Sequence, residues 1–224
     1  MGRSRRRQPR SRGVLITFEG IEGSGKSVQC SRLAKFLRSE GYRVIETREP
    51  GGTPFAELIR ELLLQNFGEH VTPECEVSLI LAARSQHLAH VIRPALKDGA
   101  VVLCDRFFDS TLAYQGYGRG LDLRKLQRMN RLITGDLVPN LTFLFDLPVE
   151  EGLARRREHG QEQNRLDRET FRFHERVRKG FLRLAAGDSR IRRIDARADA
   201  DTIAKEVASI GSRVLKRHHQ IAKG

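Results

Sequence analysis

The chain has 224 residues, three cysteines and a formal net charge of +13. That length suits one globular domain with a well-buried core, and no apolar run is long enough to cross a membrane as a helix. Cys30, Cys75 and Cys104 lack paired or metal-ligand spacing, so they read as reduced core thiols of a cytoplasmic protein.

Residues 1–13 hold six arginines, no acid and almost nothing apolar, so the expectation is a disordered basic extension rather than a signal peptide. Such a tail can touch nucleic acid or acidic partners, but nothing else in the chain supports that contact, and it reads as dispensable. Val14 to Phe18 is a short apolar run with β-branched members and predicts a buried strand. A glycine-rich turn follows, then a helix from about Lys26 to Ser39 packed through Leu33, Phe36 and Leu37 and ended by Gly41. Arg43 to Thr47 is the next predicted strand. Pro54 opens a helix containing Leu58, Leu62 and Leu63. Thr72 and Pro73 start another helix, with Glu74 and Glu76 in its first turn, that runs to about Arg93.

Val101 to Cys104 predicts a strand ending at Asp105 and Arg106, and Leu141 to Phe145 one ending at Asp146. Between them, Gly116, Gly118 and Gly120 suggest a mobile or close-packed loop around Tyr114 and Gln115, with Tyr117 packing. A last strand is expected over 191–194 and a closing amphipathic helix over 199–215, with a basic tail at 216–224. Strands alternating with helices predict an α/β fold, a parallel sheet flanked by helices on both faces. Residues 14–215 form a single domain in this reading, with a mobile charged region inserted near 155–169.

The clearest chemical signal is Gly20-Ile21-Glu22-Gly23-Ser24-Gly25-Lys26-Ser27, which satisfies the G-x-x-x-x-G-K-[ST] spacing between a predicted strand and a predicted helix. Glycines let backbone N–H groups converge on phosphate oxygens, and the helix N terminus adds favourable partial charge. Lys26 is expected to reach the β- and γ-phosphates of ATP, and Ser27 to hold Mg²⁺ with Asp105. Arg106 is placed to grip an acceptor phosphate at the carboxyl edge of the sheet. No N-K-x-D guanine-reading motif occurs, so a switch GTPase is disfavoured.

The chain resembles thymidylate kinases of the bacterial type. The resemblance rests on the P-loop with Phe18 and Glu19 before it, Arg48-Glu-Pro-Gly-Gly-Thr53, Asp105-Arg-Phe-Phe-Asp-Ser110 and Ala113-Tyr-Gln-Gly116. It continues through Arg165-Leu-Asp-Arg-Glu169, Phe173-His-Glu-Arg-Val-Arg178 and Ile194-Asp-Ala196, from about residue 14 to about residue 210. It implies a P-loop nucleoside monophosphate kinase fold, a homodimer, and transfer of the ATP γ-phosphate to dTMP with Mg²⁺. It also implies that Glu22 lies near the acceptor phosphate and the metal, and that Glu49, Arg84 and Gln115 frame the acceptor nucleotide. Tyr114 would crowd the sugar 2′ position. Judged by residue type alone, Glu49 and Arg84 read as surface charges.

The P-loop carries Glu22 and no arginine, and the transferring phosphoryl group needs further cations; the resemblance implies that arginines on a lid supply them. Arg157, Arg165 and Arg168 are the candidates, while Arg155 and Arg156 read equally well as solvated charges. Where many family members carry a phenylalanine that stacks on thymine, this chain has Ile80, an apolar contact without a ring. The alternatives are a kinase for another nucleoside monophosphate, which Ile80 prompts, and a P-loop nucleic-acid-binding ATPase using the basic tail.

Overall fold

The computed structural model describes residues 13–135, 137–158, 165 and 169–223, so the expected tail at 1–12, most of the expected lid and Arg168 lie outside the described residues. Their five strands form one parallel sheet: β1 (Val14–Glu19), β2 (Val44–Arg48), β3 (Val101–Asp105), β4 (Leu141–Asp146) and β5 (Ile191–Asp195). The spatial order is β2-β3-β1-β4-β5. β1 is therefore the central strand, and all six of its residues are buried. Its side chains alternate between two cores, as the pleat requires. Val14, Ile16 and Phe18 join the cluster that includes Leu33, Leu37 and Val207. Leu15 joins Leu88, Ile92, Val102 and Cys104 on the other face.

The helices are α1 (Lys26–Ser39), α2 (Pro54–Leu64), α3 (Pro73–His87), α4 (Arg93–Lys97), α5 (Phe108–Thr111), α6 (Leu123–Thr134), α7 (Val149–Glu158), α8 (Phe171–Gly187) and α9 (Ala200–Lys223). Thr53 and Thr72 cap α2 and α3 by accepting hydrogen bonds from Ala56 and Cys75 N–H groups, each at 3.2 Å, with proline in the first turn of both helices.

Four readings need correction. The helix expected to end near Arg93 instead passes through a π-helical stretch, Leu88–Ile92, into α4. The stretch expected to be a loop around Tyr114 is a π-helical segment, Leu112–Gly118, and it is close-packed. A Cβ on Gly116 would lie 2.4 Å from Leu123, so its glycine admits α6 at short range. The closing helix does not stop at 215 but continues through the expected basic tail to Lys223. Finally, Cys30 and Cys104 are buried free thiols, but Cys75 is exposed in the first turn of α3.

Candidate active site

Strand register sets the site. Phe18 pairs with Asp105, and Asp105 pairs with Arg48. One residue on from this register, at the carboxyl ends of the strands, the chain therefore presents Glu19, Glu49 and Arg106 together. The P-loop leaves β1 at this edge and opens α1. Gly23 has φ +74°, and a Cβ there would lie 2.1 Å from the Gly152 carbonyl oxygen, so a side chain is excluded both conformationally and sterically. Lys26 is buried and donates to the Ile21 carbonyl at 3.1 Å. Burial, aided by the Arg106 charge, lowers its pKa to about 8.

Ser27 Oγ donates to Asp105 Oδ2. The other carboxylate oxygen, Oδ1, is buried with no hydrogen-bond partner among the described residues. A hydroxyl and a carboxylate with a spare buried lone pair are the oxygen donors that a hard divalent cation takes, so this pair fits Mg²⁺.

Arg106 has φ +68°, an uncommon backbone conformation for a residue with a side chain. Its guanidinium donates to Glu22 Oε1 at 2.9 Å and to Ser110 Oγ at 3.2 Å, and lies 5.0 Å from the Tyr114 ring centre. Tyr114 Oη donates to both Glu22 oxygens, at 2.7 and 2.8 Å. Burial works against the Glu22 carboxylate, but Arg106, Lys26 and the tyrosine outweigh it and hold its pKa at about 2. Glu22 is thus a fixed anion that aims a fixed cation.

The sequence reading quoted Glu19 as part of a motif but gave it no role, although its place at the end of a core strand beside Gly20 was a signal. Its oxygens accept from the Phe107 N–H at 2.8 Å and from Ser110 Oγ at 2.5 Å, bracing the turn that carries Arg106. Burial, then the Asp109 carboxylate, pushes its pKa up to about 8 against the pull of Ser110, Arg106 and the Phe107 N–H.

Glu49, Ile80, Arg84, Arg106, Tyr114 and Gln115 all line one cavity of about 270 Å³. Glu49 and Arg84 are not surface charges as their types suggested; their side chains are 3% and 2% exposed. Arg84 donates to Glu49 at 2.7 Å, Asn130 at 2.6 Å and Thr111 at 3.0 Å. His87 bridges Glu49 and Thr47 behind it, at 3.0 and 2.6 Å. The charges are buried because they are paired and hydrogen-bonded.

A second cavity, about 450 Å³, runs along the P-loop from Gly23 to Gln29 and is walled by Arg155, Arg156 and the 196–203 segment. Gly23, Lys26 and Arg156 line both cavities. Arg156, first read as a solvated charge as readily as a functional one, therefore sits at the junction, while Arg157 is exposed. Arg165 lies elsewhere: it donates to Glu76 Oε2 at 2.6 Å and to the Leu63 carbonyl at 3.1 Å, beside the first cavity, which Leu63 and Glu76 line.

Comparison with known proteins agrees with this geometry. The family model described as thymidylate kinase matches residues 18–207. A thymidylate kinase of Thermomicrobium roseum is 52% identical over 204 residues, covering 91% of this chain and 96% of that protein. One from Pseudomonas fluorescens is 55% identical over 185 residues, covering 82% and 88%. The crystal structure of thymidylate kinase from Ehrlichia chaffeensis superposes with a TM-score of 0.72 at 35% identity, covering 88% of this chain and 98% of that one.

Proposed function

The chain belongs to the thymidylate kinase family, and on that premise we propose how its residues divide the work of moving the ATP γ-phosphate to dTMP. The enzyme is an ATP-dependent nucleoside monophosphate kinase that makes dTDP. The relatives reported above are all thymidylate kinases, and none of them favours another acceptor or a nucleic-acid ATPase.

The observation that carries the residue roles is the meeting of the two cavities at Gly23, Lys26 and Arg156. In-line transfer needs donor and acceptor phosphates in adjoining spaces with cations at the join. P-loop N–H groups and Lys26 hold the donor phosphates. Arg106, held by Glu22, grips the acceptor phosphate. Glu49, through Arg84, frames the acceptor space; Gln115 and Ile80 meet the base, and Tyr114 crowds the sugar. Ser27 and Asp105 would hold Mg²⁺, which when bound offsets negative charge on the β- and γ-phosphates.

Among the arginines Arg156, Arg157, Arg165 and Arg168, we favour Arg156 for the transferring group. Arg156→Ala should lower kcat about a hundredfold, whereas Arg157→Ala should change it little. The reverse order in a coupled ADP-release assay would overturn the assignment. Running that assay across nucleoside monophosphates, with product identification, tests the acceptor pocket directly.

We also infer a homodimer and a cytoplasmic location. Phe55, Leu58 and Leu62 leave 56%, 60% and 46% of their surface exposed along one side of α2, an apolar stripe that supports a self-association surface. Sedimentation equilibrium decides this point. The three free cysteines support a reducing compartment, and no helix among the described residues is long and apolar enough to cross a membrane.

A further inference from the structure

Glu76, in the first turn of α3, is 1% exposed and serves three partners. Its Oε1 accepts from Gln115 Nε2 at 2.7 Å and from Arg119 Nε at 3.4 Å. Its Oε2 accepts from an Arg119 terminal nitrogen at 3.2 Å and from Arg165 at 2.6 Å. A carboxylate offers about four acceptor positions, and here each is taken. Burial opposes the charge, yet Gln115, Arg119 and Arg165 together keep the carboxylate ionised below its ordinary range.

An ionised carboxylate accepts and cannot donate, so the Gln115 amide has one permitted orientation: its NH₂ faces Glu76. The carbonyl oxygen of Gln115 is then the polar end left for a ligand in the cavity. Thymine and uracil carry a donor at N3, whereas cytosine carries an acceptor there. We propose that Glu76, anchored by Arg119 and Arg165, is a positioning residue that fixes the Gln115 amide so that its carbonyl selects pyrimidines bearing an N3–H over cytosine. This rests on the reading above that Gln115 meets the base. The physical basis is that a buried acceptor facing another acceptor leaves both unpaired, a penalty that discriminates more strongly than a missing contact.

The test compares kcat/KM for dTMP, dUMP and dCMP in the full-length enzyme and in Glu76→Gln. A glutamine at 76 can donate as well as accept, so Gln115 is free to turn over. The dTMP:dCMP ratio should fall about tenfold, while the dTMP:dUMP ratio, blind to N3, should stay constant. Glu76→Asp, which restores an acceptor-only group, should recover part of the selectivity. A merely structural role would lower all three substrates together, and an unchanged dTMP:dCMP ratio in folded Glu76→Gln overturns the proposal. Should that variant not fold, Arg165→Ala decides: it removes one anchor without breaking a helix, and should lower the same ratio two- to threefold, about half the effect on a free-energy scale. Gln115→Ala separates the two layers. If it leaves the ratio unchanged, Gln115 does not read the base and both readings fall. If it lowers the ratio while Glu76→Gln does not, only the role of Glu76 falls.

Discussion

Two buried side chains show how position alters the behaviour of ordinary residues. With its pKa near 8, Glu19 keeps its proton in the folded protein through a range in which an unfolded glutamate has lost it. The folded state therefore binds the extra proton between about pH 4.5 and 8. Its contribution is fully present at the acid end of that window and is lost as pH rises through it. Asp109, also pushed up by burial, acts in the same sense. Glu19→Gln copies the protonated form, can keep the bonds to Phe107 and Ser110, and cannot titrate. Its melting temperature should match the parent near pH 5 and exceed it increasingly toward pH 8; a pH-independent difference would sink this account. Ile80 is half-buried against the Ala56, Ile59, Leu63 and Ala83 cluster and faces the acceptor cavity. Ile80→Phe should tighten dTMP binding by about 0.5–1 kcal/mol through ring stacking. Calorimetric titration against Ile80→Leu checks it, and weakened binding would mean that the wall by Leu63 is overpacked.

At the scale of elements, α3 lines much of the cavity proposed for the acceptor, through Glu76, Ile80 and Arg84. Arg84 ties it to the loop after β2 through Glu49, to α5 through Thr111 and to α6 through Asn130. A guanidinium with this many partners is a structural cross-link as well as a pocket wall. Arg84→Ala should cost about 3–5 kcal/mol in denaturant unfolding, because Glu49 would lose its guanidinium partner while buried, keeping only His87 among the described residues. Arg84→Ala combined with Glu49→Ala should recover part of that loss. Additive losses would mean that the pair is not coupled. The π-helical segment Leu112–Gly118 brings Tyr114 and Gln115 against α8 and α3, and its glycines permit this approach. Gly118 faces Phe173 and Val177, where a Cβ would lie 2.7 Å from the Phe173 ring.

For the whole molecule, the sheet order puts the P-loop on the central strand and the Asp105–Arg106 turn on its neighbour, and the cavities proposed for donor and acceptor adjoin at Gly23, Lys26 and Arg156. The basic stretch 1–12 lies outside the described residues; the described chain opens with the Gly13 N–H bonded to the Leu96 carbonyl at 2.9 Å, and β1 begins at Val14. Removing residues 1–12 should leave kcat and both KM values within about twofold, since the strand that carries the P-loop begins at Val14. A clear fall in turnover at saturating substrate would show that the stretch serves catalysis. Loss of nucleic-acid binding alone would assign it a separate task.

The parts of this protein legible in its sequence are those set by neighbours along the chain. Apolar runs marked β1, β3 and β4, Pro54 marked the start of α2 and the Thr72-Pro73 pair that of α3, and the glycine-lysine spacing marked the phosphate loop. Hydrogen bonds and sterics within a few residues determine these features. Tertiary structure decided what depends on distant partners. Glu49 and Arg84 meet across 35 residues, and Arg165 reaches Glu76 across 89; only the completed fold supplies the partners that make their burial tolerable. Helix phase worked the same way. Arg156 and Arg157 are adjacent, but successive residues on a helix point about 100° apart. The seating of α7 against the P-loop at Gly23 and Gly152 therefore decided which arginine faces both cavities.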